Sequence, residues 1–185
     1  MTNQINTDTD KIISKLTVRL KDPLNDGYVG SGVIFLQESL NDKIYILTAS
    51  HCLFTDGDKF HNKRNEISID FLKSNFLDYE TVNVKVDSNL LFTSEKKDVA
   101  VLILTKKEVE NITGETPKIS CVKERSTYRN FITKGFPKAT MGEEIAVLYP
   151  TWLQHFEDSR FQIQLNEAYS AYSTQGFSGS PVFLI

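Results

Sequence analysis

Cysteine is nearly absent: Cys52 and Cys121 are the only two in 185 residues, too few for the disulfide framework of a compact secreted domain. A reducing, cytoplasmic setting is therefore expected. No run approaches the roughly 18 apolar residues of a membrane span, and the polar start, Met1 to Asp10, lacks the charged and apolar stretches of an export signal. No membrane is expected as a partner. Basic side chains are not gathered into a stripe, and 21 Lys and Arg against 24 Asp and Glu leave a net charge of −3. The footprint of a nucleic-acid binder is missing, so none is expected to bind directly. Repeats, heptads and low-complexity blocks are also lacking, and no metal or other cofactor is expected.

What is present is enough apolar material for one core, with 40% hydrophobic residues including seven Tyr and twelve Phe. Residues 1–10 read as a flexible start and 11–185 as a single domain. Short runs rich in Val, Ile, Phe and Tyr recur between Gly, Pro, Asn and Asp: Leu16–Leu20, Tyr28–Gln37, Lys43–Thr48, Glu66–Leu72, Thr81–Val86, Val99–Thr105, Phe131–Gly135, Glu144–Tyr149, Phe161–Leu165 and Pro181–Ile185. This rhythm predicts an all-β barrel or sandwich. Helix is expected only as a turn at Ala49–Phe54 and at Lys106–Asn111, where Lys106, Lys107 and Glu110 are spaced for charge pairs. Asp22 to Gly27, with its Pro and Asp-Gly, predicts a hairpin turn.

Three segments carry chemistry. Leu47-Thr48-Ala49-Ser50-His51-Cys52 ends a strand in small residues and then presents an imidazole, which taken alone is more often a surface or capping group than a catalytic one. Lys97-Asp98-Val99-Ala100-Val101-Leu102 sets a carboxylate at the mouth of an apolar strand, where it could fix an imidazole tautomer or simply close a turn and pair with Lys97. Gly176-Phe177-Ser178-Gly179-Ser180-Pro181 is the most specific. Glycines on both sides of a serine permit a tight turn that exposes the hydroxyl and aims successive N–H groups into one space. An α/β-hydrolase elbow has a similar pattern, but its serine precedes the acid and the histidine and leads into a helix. Here the serine comes last and a strand follows.

In their order His, Asp, Ser, spaced 47 and 80 positions apart, these segments resemble the signatures of trypsin-like serine proteases. The resemblance runs from about Leu16 to Ile185 and implies a chymotrypsin-like double β-barrel. It also implies a catalytic triad of His51, Asp98 and Ser178, and an oxyanion hole from the backbone N–H groups of Gly176 and Ser178. Gly30-Ser31-Gly32-Val33-Ile34-Phe35 resembles the family's Gly-containing strand, where compact residues allow close packing near the active site; a bulge is the other reading. Lys134-Gly135-Phe136-Pro137 resembles a strand that opens the second barrel, with a structural role.

The departures matter as well. Where zymogen-activated members carry an acid before the nucleophile, this chain has Phe177, so activation by pairing with a newly cut N-terminus is not expected. Cys52 lacks the family's partner cysteine and is expected to be a reduced, buried small hydrophobe. The substrate pocket falls at Tyr172 and Ser173, neither of them acidic, so the counter-charge for a Lys or Arg side chain is missing. The second barrel is expected to be truncated at its C-terminal end and continued in a longer chain. Unexported domains of this type resemble effector modules of bacterial antiviral defence proteins, which implies a fused sensor or regulatory region. Two functions follow: a serine endopeptidase acting on a protein or peptide substrate, or an inactive protease-like domain used as a binding or scaffold module.

Overall fold

The computed structural model describes residues 7–35, 42–116, 131–136, 146–148, 151–155, 161–164, 178–180 and 182–184. Helix α1 (Thr7–Leu16) leads into β1 (Thr17–Lys21), which turns through Asp22–Gly27 into β2 (Tyr28–Phe35). After β3 (Lys43–Thr48) comes a tight 3₁₀ turn, Ser50–Leu53. β4 (Glu66–Leu72), β5 (Tyr79–Lys85), a single helical turn α2 (Val86–Asn89), β6 (Leu90–Ser94), β7 (Val99–Thr105) and α3 (Lys106–Thr113) follow. The remainder is β8 (Phe131–Gly135), β9 (Ala146–Leu148), β10 (Thr151–His155), β11 (Phe161–Gln164) and β12 (Val182–Leu184).

One curled antiparallel sheet takes seven strands in the order β5-β4-β1-β2-β3-β7-β6, a second takes β12-β8-β9, and β10 pairs with β11. The described residues are mostly β, the architecture the sequence pattern predicts. Alternation explains the first sheet. In β7, Ala100, Leu102 and Leu104 point into the core while Val99, Val101 and Ile103 stay half-buried on the other face. Ile44, Ile46, Ile67, Ile69 and Phe71 meet them inside, and each buried side chain of this size removes about 1.5–3 kcal/mol worth of apolar surface from water.

Local signals closed the turns as expected. β1 and β2 form a hairpin in which the Asp22 N–H donates to the Gly27 carbonyl at 2.8 Å and Asp26 takes the left-handed φ of 55°. Helix α3 opens on a capping box: the Glu108 N–H donates to the Thr105 hydroxyl oxygen and the Thr105 N–H to the Glu108 carboxylate, both at 3.3 Å. Lys106 and Glu110 form the expected spaced pair at 3.7 Å.

Three elements depart from the sequence pattern. Helix α1 takes in Thr7–Asp10, which the pattern assigned to a flexible start; its polar face hid the short apolar stripe of Ile13 and Leu16, buried at 3% and 0% exposure. Strand β6 has no inward alternation to reveal it, because Leu91 and Phe92 are both exposed and only pairing with β7 makes it a strand. Strand β10 is likewise defined by its antiparallel pairing with β11.

Candidate active site

The register of the first sheet gathers two of the three candidate side chains. β3 and β7 run antiparallel with Thr48 opposite Ala100, so the residues just after β3 and just before β7 lie at one end of the sheet. The 3₁₀ turn after β3 presents His51 there. Asp98 arrives from a turn closed by its own N–H donating to the Glu95 carbonyl at 3.1 Å, and it takes a left-handed φ of 49°. Aspartate tolerates that conformation better than most residues, at a cost of order 1 kcal/mol.

Asp98 then holds His51 twice. One carboxylate oxygen accepts the His51 backbone N–H at 2.9 Å and the other lies 2.8 Å from Nδ1 of the ring. The pair is half-open, with the His51 side chain 22% and the Asp98 side chain 43% exposed. Asp58, unnoticed in the sequence, also reaches within 3.7 Å of Nδ1, but it is 90% exposed and water screens it. His51 is held at about 9, above its ordinary 6.5. The neighbouring Cys52 side chain contributes most, burial opposes it, and the hydrogen bond and charge of Asp98 add to the rise.

The serine turn reaches the same cleft from the other end of the chain. Ser178, Gly179 and Ser180 line it together with Thr48, Ala49, His51 and Asp98, around about 350 Å³ of space. The turn is stapled to the first sheet: the Ser31 N–H of β2 donates to the Ser178 carbonyl at 2.8 Å, and the Thr48 hydroxyl of β3 donates to the Ser31 carbonyl at 2.7 Å. The Ser31 hydroxyl, 3.0 Å from the Tyr28 phenol, accepts the Phe136 N–H at 3.1 Å. Burial pushes the Tyr28 phenol well above its usual range, the Ser31 hydrogen bond opposing it, so it stays neutral beside that hydroxyl.

Gly30 shows why that part of β2 is compact. A Cβ there would come closer than 3.0 Å to the Cys52 sulfur and 3.1 Å from the Ser178 carbonyl oxygen. Both readings of this stretch hold, because the β1–β2 register also slips beside it, from Leu20 opposite Gly30 to Lys21 opposite Tyr28. Cys52 is free and buried, with its thiol 3.5 Å from the Val29 carbonyl, as its lack of a partner cysteine implies. Ser31 and Thr48 were the missed anchors. A serine between two glycines was their signal, but its backbone bond to Ser178 spans 147 residues and no local pattern announces it. The expected oxyanion donor Gly176 and the expected pocket residues Tyr172 and Ser173 lie outside the described residues, as do Phe177 and Cys121.

No family model matches the sequence and no curated protein resembles it closely enough to match. Solved structures do match. The chain is similar to Deg5 at 12% identity, covering 98% of this chain and 83% of that one with a TM-score of 0.58. It is similar to a serine endoprotease from Yersinia pestis at 16% identity, covering 98% of this chain and 55% of that one with a TM-score of 0.57. The protease domain of MamO from Magnetospirillum magneticum is 15% identical, with 94% and 80% of the two chains covered and a TM-score of 0.57. At these identities the likeness is one of fold alone, a chymotrypsin-like all-β fold with a truncated second barrel.

Proposed function

We propose that this domain is a serine endopeptidase whose nucleophile is Ser178, whose general base is His51 and whose orienting acid is Asp98. The observation that carries the reading is the double grip of Asp98 on His51 at the rim of the cleft that Ser178 also lines. With the carboxylate at Nδ1, the neutral ring keeps its proton there and leaves the Nε2 lone pair free to accept one. A serine hydroxyl is a weak nucleophile until a base takes its proton. Ser178 Oγ attacks the substrate carbonyl carbon as His51 accepts its proton, and the imidazolium so formed is stabilised by Asp98. The proton then goes to the leaving amine, and water releases the acyl group from Ser178 by the same steps. The Ser178 N–H, with that of Gly176, supplies the oxyanion contacts, each worth roughly 10²–10³ in rate. A protein or peptide is the substrate, a fused regulatory region is the expected partner, and the cytoplasm the expected setting.

Incubating the folded chain with a fluorophosphonate probe tests this. Mass analysis is expected to place one adduct on Ser178 and none on the Ser178→Ala variant. A folded chain that stays unlabelled from neutral pH to well above pH 9 would refute the proposal.

The raised His51 value sets the pH dependence. Only the neutral ring can accept a proton, so the labelling rate is expected to climb as pH rises through about 9, the value His51 holds in the fold, and then level off. Stability runs the other way. The folded state binds this proton more tightly than the unfolded chain, whose value is the ordinary 6.5. The contribution is therefore fully present below pH 6.5 and lost as pH rises through about 9. Labelling rates and thermal midpoints across that window check both slopes, and a rate plateau already reached near pH 7 would contradict them.

A further inference from the structure

Lys134 is a cation in an unusual place, with its side chain only 2% exposed. It leaves β8 and reaches helix α1, where its Nζ lies 2.6 Å from the Asp10 carboxylate and donates to the Ser14 hydroxyl oxygen at 2.6 Å and to the Asp10 carbonyl at 3.2 Å. A buried ammonium is tolerated only when its charge and all three donors are satisfied, and here one turn of α1 satisfies all of them. The helix is anchored independently to the first sheet, since Ile13 and Leu16 are buried and the Thr17 hydroxyl donates back to the Ile13 carbonyl at 2.8 Å. Helix α1 thus ties β8 to the first sheet.

Two routes lead from β8 to the Ser178 turn. β8 pairs with β12, Val182 opposite Thr133 and Phe183 opposite Ile132, and β12 begins three residues after Gly179. Two residues along from Lys134, the Phe136 N–H donates to the Ser31 hydroxyl oxygen, and the Ser31 N–H in turn holds the Ser178 carbonyl. Phe136 is fully buried against Tyr79 and the Arg19 guanidinium, so its backbone has little freedom to yield.

We infer that Asp10, Ser14 and Lys134 form a positioning device through which helix α1 sets the Ser178 turn against His51. The inference rests on the reading of Ser178 as the nucleophile. His51 and Asp98 sit on turns at one end of the first sheet and are joined to each other there, so loosening α1 from β8 displaces the nucleophile and leaves the base where it is. A misplacement of about 1 Å costs on the order of 10²-fold in a positioned reaction.

The test uses Asp10→Ala, which leaves the buried cation without its carboxylate, and Lys134→Met, which removes the cation with little change of shape and keeps the chain foldable. Asp10→Glu is the conservative control. Fluorophosphonate labelling of Ser178 is expected to slow by about tenfold or more in the first two variants, with its pH midpoint unmoved, and Asp10→Glu is expected to recover most of the rate. Amide hydrogen exchange is expected to quicken at Ser31 and Phe136 while Ile46 and Leu102, deep in the first sheet, stay protected. Unchanged labelling and unchanged Ser31 and Phe136 exchange in folded Lys134→Met would overturn the inference. So would a loss of protection spread evenly over the first sheet, the mark of plain destabilisation. If the unaltered chain does not label, the protease reading fails, and exchange at Ser31 and Phe136 alone decides whether α1 holds the turn.

Discussion

Replacing Gly179 with alanine is expected to abolish labelling of Ser178 while leaving the first sheet folded. Two independent penalties fall on the new methyl group. Gly179 sits at φ 79°, a conformation that costs an L side chain about 1–2 kcal/mol. Its Cβ would also come closer than 3.0 Å to the Ser31 carbonyl oxygen, the Thr48 hydroxyl oxygen and the Ala49 nitrogen. None of these can retreat cheaply. The Ser31 carbonyl accepts the Thr48 hydroxyl, and Ala49 is the residue that turns β3 toward His51. The turn is therefore expelled from the first sheet, breaking the bond from the Ser31 N–H to the Ser178 carbonyl. A drop of at least about 10²-fold in labelling rate is expected, along with faster exchange of the Ser31 amide. Labelling at the unaltered rate would show that the turn does not dock as described.

Asp98→Asn is expected to lower the labelling rate by roughly 10⁴-fold, the loss that amide replacement of the acid causes in triads of this type. The geometry explains why so small a change is so costly. One carboxylate oxygen of Asp98 is committed to the His51 backbone N–H at 2.9 Å. In the variant that position demands the amide oxygen, because an amide NH₂ cannot accept. The NH₂ group then faces Nδ1, donates to it and moves the ring proton to Nε2. His51 is left in the tautomer that cannot take a proton from Ser178. Nitrogen NMR of the ring is expected to show the exchanged tautomer, with the fold retained. A variant that labels within about tenfold of the unaltered chain would remove Asp98 from the mechanism.

The two variants probe different kinds of information. Asp98 could be read from the chain because a carboxylate ahead of Val99-Ala100-Val101-Leu102 stands at a strand mouth, and strand alternation is a local property with period two. The ranges Lys43–Thr48, Glu66–Leu72, Val99–Thr105 and Phe131–Gly135 were legible for the same reason. Helix α1 was not legible, because its stripe is two residues long in a polar sequence and becomes a helix face only when the sheet covers it. Strand β6, with Leu91 and Phe92 both exposed, exists by virtue of the β7 ladder.

The sequence by itself determined the inventory: an all-β chain, an imidazole and a carboxylate at strand ends, and a serine flanked by glycines. These follow from side-chain chemistry and short-range periodicity, which need no knowledge of what lies across the sheet. Only the tertiary structure decided that Thr48 stands opposite Ala100, which brings His51 to Asp98. It alone set the Ser178 carbonyl on the Ser31 N–H and seated Lys134 in the first turns of α1. Such contacts join residues 47, 147 and 120 or more positions apart. Their partners are chosen by register and by the burial of the whole core, and that choice is made only once the strands have paired.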